Sequence, residues 1–329
     1  MSSDTERDLW VGFDLGGTKM LAAIYDSDFN VLGKKRKRTR GHEGAQVGLD
    51  RIALTINRAC EVADVDPKRI RAIGIGAPGP INFDSGVILE APNLGWVDVP
   101  IRDYLESEFG CPVFPGNDVD MGLYGEYRFG AARGKQCCLG IFPGTGIGGA
   151  CVYEGRIVRG ARQSAMEFGH LPIPSESLLT TTTERGGCLE MVAGRLAIAG
   201  ACAQAAFRGD APNLVKEAGT DISNIRSGAI AKAIEDGDAA IERIVRDAAR
   251  HIGRAAGGVI HLLAPQVIVL GGGMVEALPS IFTEEVKQAA RDFVLPSFKD
   301  SFEVVVAELE DDAVVRGASA WAVEELADK

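Results

Sequence analysis

The chain has no apolar run of the roughly 18 residues needed to span a bilayer, so no membrane partner is expected. It also lacks an excess of positive charge: Lys+Arg 35 stand against Asp+Glu 46, a formal net charge of −11. General affinity for nucleic acid or anionic lipid needs clustered cations, so neither is expected as a partner. The one basic run, Lys34-Lys35-Arg36-Lys37-Arg38, reads as a solvated strand edge. The seven cysteines are scattered and odd in number, which argues against a disulfide framework. They read as buried, reduced thiols of a cytoplasmic protein. Residues Met1–Asp8 are polar and charged and read as neither a signal nor a transit peptide.

Glycine-rich turns are what the chain does have. Asp14-Leu15-Gly16-Gly17-Thr18-Lys19 sits between the strand-like runs Leu9–Phe13 and Met20–Tyr25. Gly144-Thr145-Gly146-Ile147-Gly148-Gly149 sits between Cys138–Phe142 and Ala150–Tyr153. Turns without Cβ atoms let backbone N–H groups crowd around an anion, and Thr18 or Thr145 adds a hydroxyl donor. The stretches Phe13–Asp26 and Phe142–Gly155 echo one another: apolar strand, Gly/Thr turn, small apolar strand, then Tyr and an acidic residue. At 329 residues, two domains are the default. A duplicated fold that grips a polyphosphate from both sides would explain the pair of turns.

Coarse patterning predicts a strand meander over 9–39 and a helix over Val47–Val62. A buried strand over Ile70–Ile75 runs into the helix-incompatible Gly76-Ala77-Pro78-Gly79-Pro80. A helix over 101–109 and a short strand at 112–114 follow. Asn117 or Asp118 caps the next helix. The stripe along Asp238–Leu263 reads as core packing. Gln266–Leu270 is a strand ending in Gly271-Gly272-Gly273, and further strand and helix patterns cover Phe302–Val306 and Ala313–Leu326. The expected division is 1–116 and 117–310.

In order along the chain come Phe13–Lys19, Gly76–Pro80, Pro92-Asn93-Leu94-Gly95-Trp96, Asn117-Asp118, Gly144–Gly149, Glu167-Phe168-Gly169-His170, Gly187-Cys188-Leu189-Glu190 and Leu270–Gly273. With this series the chain resembles the ROK family of sugar kinases and repressors, nearest its glucokinases, over nearly its whole length. The resemblance implies an α/β, two-lobed, actin-like or ribonuclease-H-like sugar kinase fold with a central cleft, its first lobe completed by helix 311–329. It implies ATP and Mg²⁺, with a hexose as the substrate, and a possible homodimer. Family repressors carry an extra N-terminal helix-turn-helix. The first phosphate strand here begins near Leu9, which favours an enzyme.

The resemblance also assigns roles. Asp118 becomes the carboxylate that accepts the attacking hydroxyl's proton; its plain alternative is a helix cap. Asp120, two residues on, would point about 200° away on a helix. Asp14 would face Mg²⁺ through water, or else stabilise its turn. Gly16, Gly17, Thr18 and Lys19 on one lobe, and Gly144, Thr145 and Gly146 on the other, would hold phosphates. Gly271, Gly272 and Gly273 would let adenosine lie close to backbone. Asn93, Asn117, Asp118, Glu167, His170 and Glu190 match hydroxyl-binding positions for the sugar. Glucose is the first expectation; fructose, mannose, allose, an N-acetylhexosamine or a non-catalytic regulator are the alternatives.

One departure stands out. Many family members bind a structural zinc through the histidine and three cysteines spaced Cys-x-Cys-Gly-x-x-Gly-Cys-x-Glu. Here Thr181 and Thr183 replace two of the cysteines, leaving Cys188 and His170. Neutral hydroxyls are poor zinc ligands, so no structural zinc is expected. Polyphosphate-using relatives share this lack, which leaves the phosphate donor open between ATP and polyphosphate.

Overall fold

The computed structural model of the chain describes residues 7–161, 165–173 and 186–328. It divides into two units, one comprising Met1–Gly134, Ile157–Ala165 and Glu308–Lys329, the other Lys135–Arg156 and Met166–Ala307. Against the boundary expected at residue 116, the chain keeps residues 117–134 with the first unit, because the helix that follows Asn117 packs there.

The first unit opens with strands β1 (Leu9–Leu15), β2 (Lys19–Tyr25) and β3 (Val31–Arg38), then helix α1 (Ala45–Ala63) and strand β4 (Ile70–Ala77). Three short strands follow, β5 (Ile81–Asn82), β6 (Val87–Ala91) and β7 (Trp96–Val99), then helix α2 (Ile101–Phe109), strand β8 (Val113–Asn117) and helix α3 (Asp118–Phe129). The main sheet has the order β3-β2-β1-β4-β8, and β5, β6 and β7 form a separate small sheet. β1 pairs antiparallel with β2 and parallel with β4, which in turn pairs parallel with β8. Every residue of β1 except Asp14 is buried, the continuous apolar run of a strand covered on both faces. The basic run lies on β3, an edge strand, where like charges discourage pairing with another chain.

The second unit repeats this plan. Its strands are β9 (Cys137–Pro143), β10 (Ile147–Tyr153), β11 (Arg156–Ile157), β12 (Val267–Leu270) and β13 (Glu303–Val306), in the order β11-β10-β9-β12-β13. The helices are α4 (Glu190–Ala193), α5 (Arg195–Phe207), α6 (Pro212–Ala218), α7 (Ser227–Glu235), α8 (Ala239–Leu263), α9 (Gly273–Ala277) and α10 (Pro279–Phe293). α8 carries the long apolar stripe into the core, where Ile241, Val245, Ile252 and Ala256 are fully buried. All seven cysteines are buried and unbridged.

The closing helix, α11 (Ala313–Ala327), packs in the first unit at backbone-contact distance. A Cβ on Gly12 of β1 would stand 1.8 Å from the carbonyl oxygen of Val315, and one on Gly74 of β4 1.8 Å from that of Ala318. A Cβ on Gly317 would stand 1.7 Å from the Met121 carbonyl of α3. Only hydrogen fits at these three places. Trp96, whose role the sequence left open, is 1% exposed in this unit's core, its indole N–H donating to the Gly41 carbonyl at 3.3 Å.

Candidate functional site

In each unit the strand order runs to one side of the first strand (β2 and β3, or β10 and β11) and then switches to the other, where β4 or β12 pairs parallel with it; at such a switch open α/β sheets leave a crevice at their carboxyl ends. In the first unit the register pairs Asp14 with Gly76 and Ala77 with Asn117. Asp14, Asn117 and Asp118 therefore leave the same ends of neighbouring strands. Burial first, then the negative charge of Asp118, then that of Asp311, pushes the Asp14 carboxyl up from 3.8 to about 7; Arg36 opposes the rise. Gly76 permits the approach of Asp118, since a Cβ there would lie 3.3 Å from the Asp118 Cα.

The helix cap is resolved between the two candidates. Asn117 is the N-cap of α3, its Oδ1 accepting from the N–H groups of Val119 at 2.9 Å and Asp120 at 3.3 Å. Its Nδ2 donates to the Gly79 carbonyl at 3.3 Å. Asp118 is the first residue of α3; it is half-buried, and its Oδ1 also accepts the Val119 N–H at 2.9 Å, while Asp120 is 5% exposed.

The first glycine turn is pinned from behind by a residue the sequence gave no reason to single out. The Thr39 hydroxyl donates to the Gly16 carbonyl at 2.6 Å, and the Thr39 N–H to the Thr18 carbonyl at 2.9 Å. Gly17, Thr18 and Lys19 are exposed. Asn93, in the β6–β7 turn, comes to this loop: a Cβ on Gly17 would meet the Asn93 Cβ at 3.4 Å.

In the second unit the turn after β9 closes through the Gly144 N–H donating to the Gly146 carbonyl at 2.8 Å. Glu190 braces it: Oε2 accepts the Ile147 N–H at 3.0 Å, and a Cβ on Gly146 would fall 2.0 Å from that oxygen. A short antiparallel bridge, Pro172 to Cys188, brings His170 and Glu190 toward each other along the chain. Gly169 confirms the closeness, since a Cβ there would sit 3.3 Å from Glu190 Oε2. Glu167 is exposed and precedes the single 3-10 turn Phe168–His170. Gly271 and Gly272 lie against the end of β9. A Cβ on Gly271 would meet the Phe142 ring at 2.7 Å, and one on Gly272, which has φ 89°, the Pro143 carbonyl at 2.9 Å. Gly273 opens α9. The phosphate-turn and adenosine candidates of this unit therefore converge.

Zinc fares differently. Thr181 and Thr183 lie outside the described residues. His170 Nδ1 is buried with no hydrogen-bond partner among the described residues, and Cys188 is buried. One imidazole and one thiol do not make a four-donor site, and no group of three or more metal-ligating side chains occurs among the described residues. Beyond Thr39, the sequence also gave no signal for Asp311 beside Asp14 or for the bracing role of Glu190. All three depend on contacts between distant stretches of chain.

The model of the ROK family matches residues 10–325. A glucokinase of Thermotoga maritima is 31% identical over 310 residues, covering 94% of this chain and 95% of that protein. Among solved structures, a ROK family glucokinase from Streptomyces griseus in complex with glucose and AMPPNP superposes with TM-score 0.82 at 28% identity, over 96% of this chain and 99% of that one. A ROK hexokinase from Thermus thermophilus gives TM-score 0.81 at 33% identity, over 98% of this chain and 100% of that one. The fold class is accordingly the α/β, two-lobed, actin-like class of these sugar kinases.

Proposed function

Since the chain belongs to the ROK family, we propose that it is an ATP-dependent hexose kinase that phosphorylates the 6-hydroxyl, with glucose as its sugar. The observation that carries this reading is the half-buried Asp118, the first residue of α3 after its Asn117 cap, set beside Asp14 at the strand ends. Phosphoryl transfer asks for positioning, charge neutralisation and an acceptor for one proton. Asp118 supplies the acceptor. A carboxylate suffices, because the hydroxyl proton becomes acidic as its oxygen bonds to phosphorus.

Asp14 and Asp118 suit a hydrated divalent cation: burial first, then the charges of Asp118 and Asp311, raise the Asp14 carboxyl, and a cation would offset that cost of ionisation. Asp14 would hold Mg²⁺ through water, and the metal when bound neutralises phosphate charge. In the first unit the half-buried Gly16 and the exposed Gly17, Thr18 and Lys19 would hold phosphates, and Asn93 and Asn117 would present amides to sugar hydroxyls. In the second unit Gly144, Thr145 and Gly146 take phosphate, Gly271–Gly273 take adenosine, and Glu167, His170 and Glu190 take hydroxyls. Glu190 lies against Gly146 and Gly169, which fixes its carboxylate beside the turn.

A coupled assay for ADP release over glucose, fructose, mannose, allose and N-acetylhexosamines, with polyphosphate as a second donor, tests the reading. Turnover highest with glucose and ATP is expected. No turnover with any sugar and either donor would leave the regulator reading in its place.

A further inference from the structure

Arg195 is the first residue of α5 and stands directly behind the second glycine turn. Its N–H donates to the Gly144 carbonyl at 3.0 Å, and its Nη2 donates to the Thr145 hydroxyl at 3.2 Å. One residue thus holds the turn by backbone and side chain together. A guanidinium has five donors in a planar fork. Among the described residues it has no carboxylate partner, and the residue is half-exposed. Helix electrostatics do not explain it, because a cation in the first turn opposes the positive end of the macrodipole. The hydrogen bond has a chemical consequence. By donating to Thr145 Oγ1, the guanidinium occupies a lone pair of the hydroxyl and leaves its O–H free to donate elsewhere.

We propose that Arg195 is a phosphate-binding residue: it orients the Thr145 hydroxyl as a donor, and its remaining N–H groups take oxygens of the nucleotide's β- and γ-phosphates. The inference rests on the kinase reading and extends the phosphate site of the second unit beyond its glycine turn. The lack of an acidic partner among the described residues and the cation's place against the helix dipole both follow from it, for an anionic ligand would supply the missing charge. Lysine would keep the charge but lose the fork.

The test is calorimetric binding of Mg-AMPPNP and of AMP to the wild-type chain, Arg195→Gln and Arg195→Lys, with glucose binding by tryptophan fluorescence and thermal unfolding as controls. For Arg195→Gln, AMPPNP affinity should fall about ten- to hundredfold, the range of a lost charged hydrogen bond. AMP affinity should fall less than twofold, and glucose affinity and unfolding temperature should hold. Arg195→Lys should recover part of the loss. Equal affinity of the wild type and Arg195→Gln for AMPPNP overturns the proposal while leaving the kinase reading intact, as does an equal loss for AMP and AMPPNP. A wild-type chain that binds neither nucleotide overturns both, and that failure appears before any variant is compared.

Discussion

The two units share a strand order and a glycine turn but differ at one equivalent position. The last antiparallel pair before each turn is Leu15–Met20 in the first unit and Pro143–Ile147 in the second. Counting back one residue from each, Asp14 and Phe142 hold the same place. Each faces a glycine beyond the neighbouring parallel strand pairing, Gly76 in one case and Gly271 in the other. One copy of the architecture thus puts an acid at its strand ends, and the other puts an aromatic ring against a run of three glycines. The first unit gathers Asp14, Asp118 and Asp311 into one electrostatic neighbourhood. The second braces its turn with Glu190 and Arg195 instead. A duplicated frame thus carries an acidic cluster in one unit and a braced turn facing glycines in the other.

The sharpest way to break that division is Asp118→Asn. Removing the proton acceptor should lower kcat by about 10²–10⁴ while sugar affinity stays within a few-fold. Near-normal turnover would show that the acidic unit is not where the chemistry resides. Next is Gly74→Ala, whose new Cβ meets the Ala318 carbonyl at 1.8 Å. Denaturant titration should show a loss of about 1–3 kcal/mol or more, whereas alanine at Gly258 inside α8, where a Cβ meets nothing within 4 Å, should stabilise by about 0.5–1 kcal/mol.

Asp14→Asn probes the acidic cluster through pH. The folded chain holds a proton on Asp14 up to about pH 7, while the ordinary value is 3.8. Between those values the folded state binds more protons than the unfolded state, so stability falls as pH rises through the window and stays lower above it. In metal- and nucleotide-free buffer, Asp14→Asn should therefore unfold several degrees higher than wild type at pH 8 and at nearly the same temperature at pH 4. An equal difference at both pH values would deny the carboxyl its raised pKa. The smallest effect is expected for Glu190→Gln. Glutamine can still accept the Ile147 N–H, so the sugar KM should rise several-fold with the ATP KM unchanged. The reverse split would make Glu190 a brace alone.

Much of this was legible before any coordinates. Both glycine turns, the Asn117-Asp118 step and the strand after α8 are local signals, written in turn glycines, capping side chains and a short β-branched run. The order of those signals carried the family. The small sheet β5-β6-β7 was not legible, because its strands are short, broken by Gly86, Pro92 and Gly95, and set by cross-strand packing. Nor was the choice between Asn117 and Asp118 as cap, since either side chain can do it and only the backbone turn decides. Thr39, Asp311 and Arg195 escaped for another reason. Each acts across a long loop, on a partner that no spacing rule connects to it.

The seam of glycines beneath α11 bears on how the molecule is made. The first unit's sheet precedes the second unit in the chain, yet the helix whose backbone meets β1 at Gly12 and β4 at Gly74 follows it. Without that helix the groove above Gly12 and Gly74 is uncovered. The entire second unit therefore lies, along the chain, between that sheet and the helix that completes it.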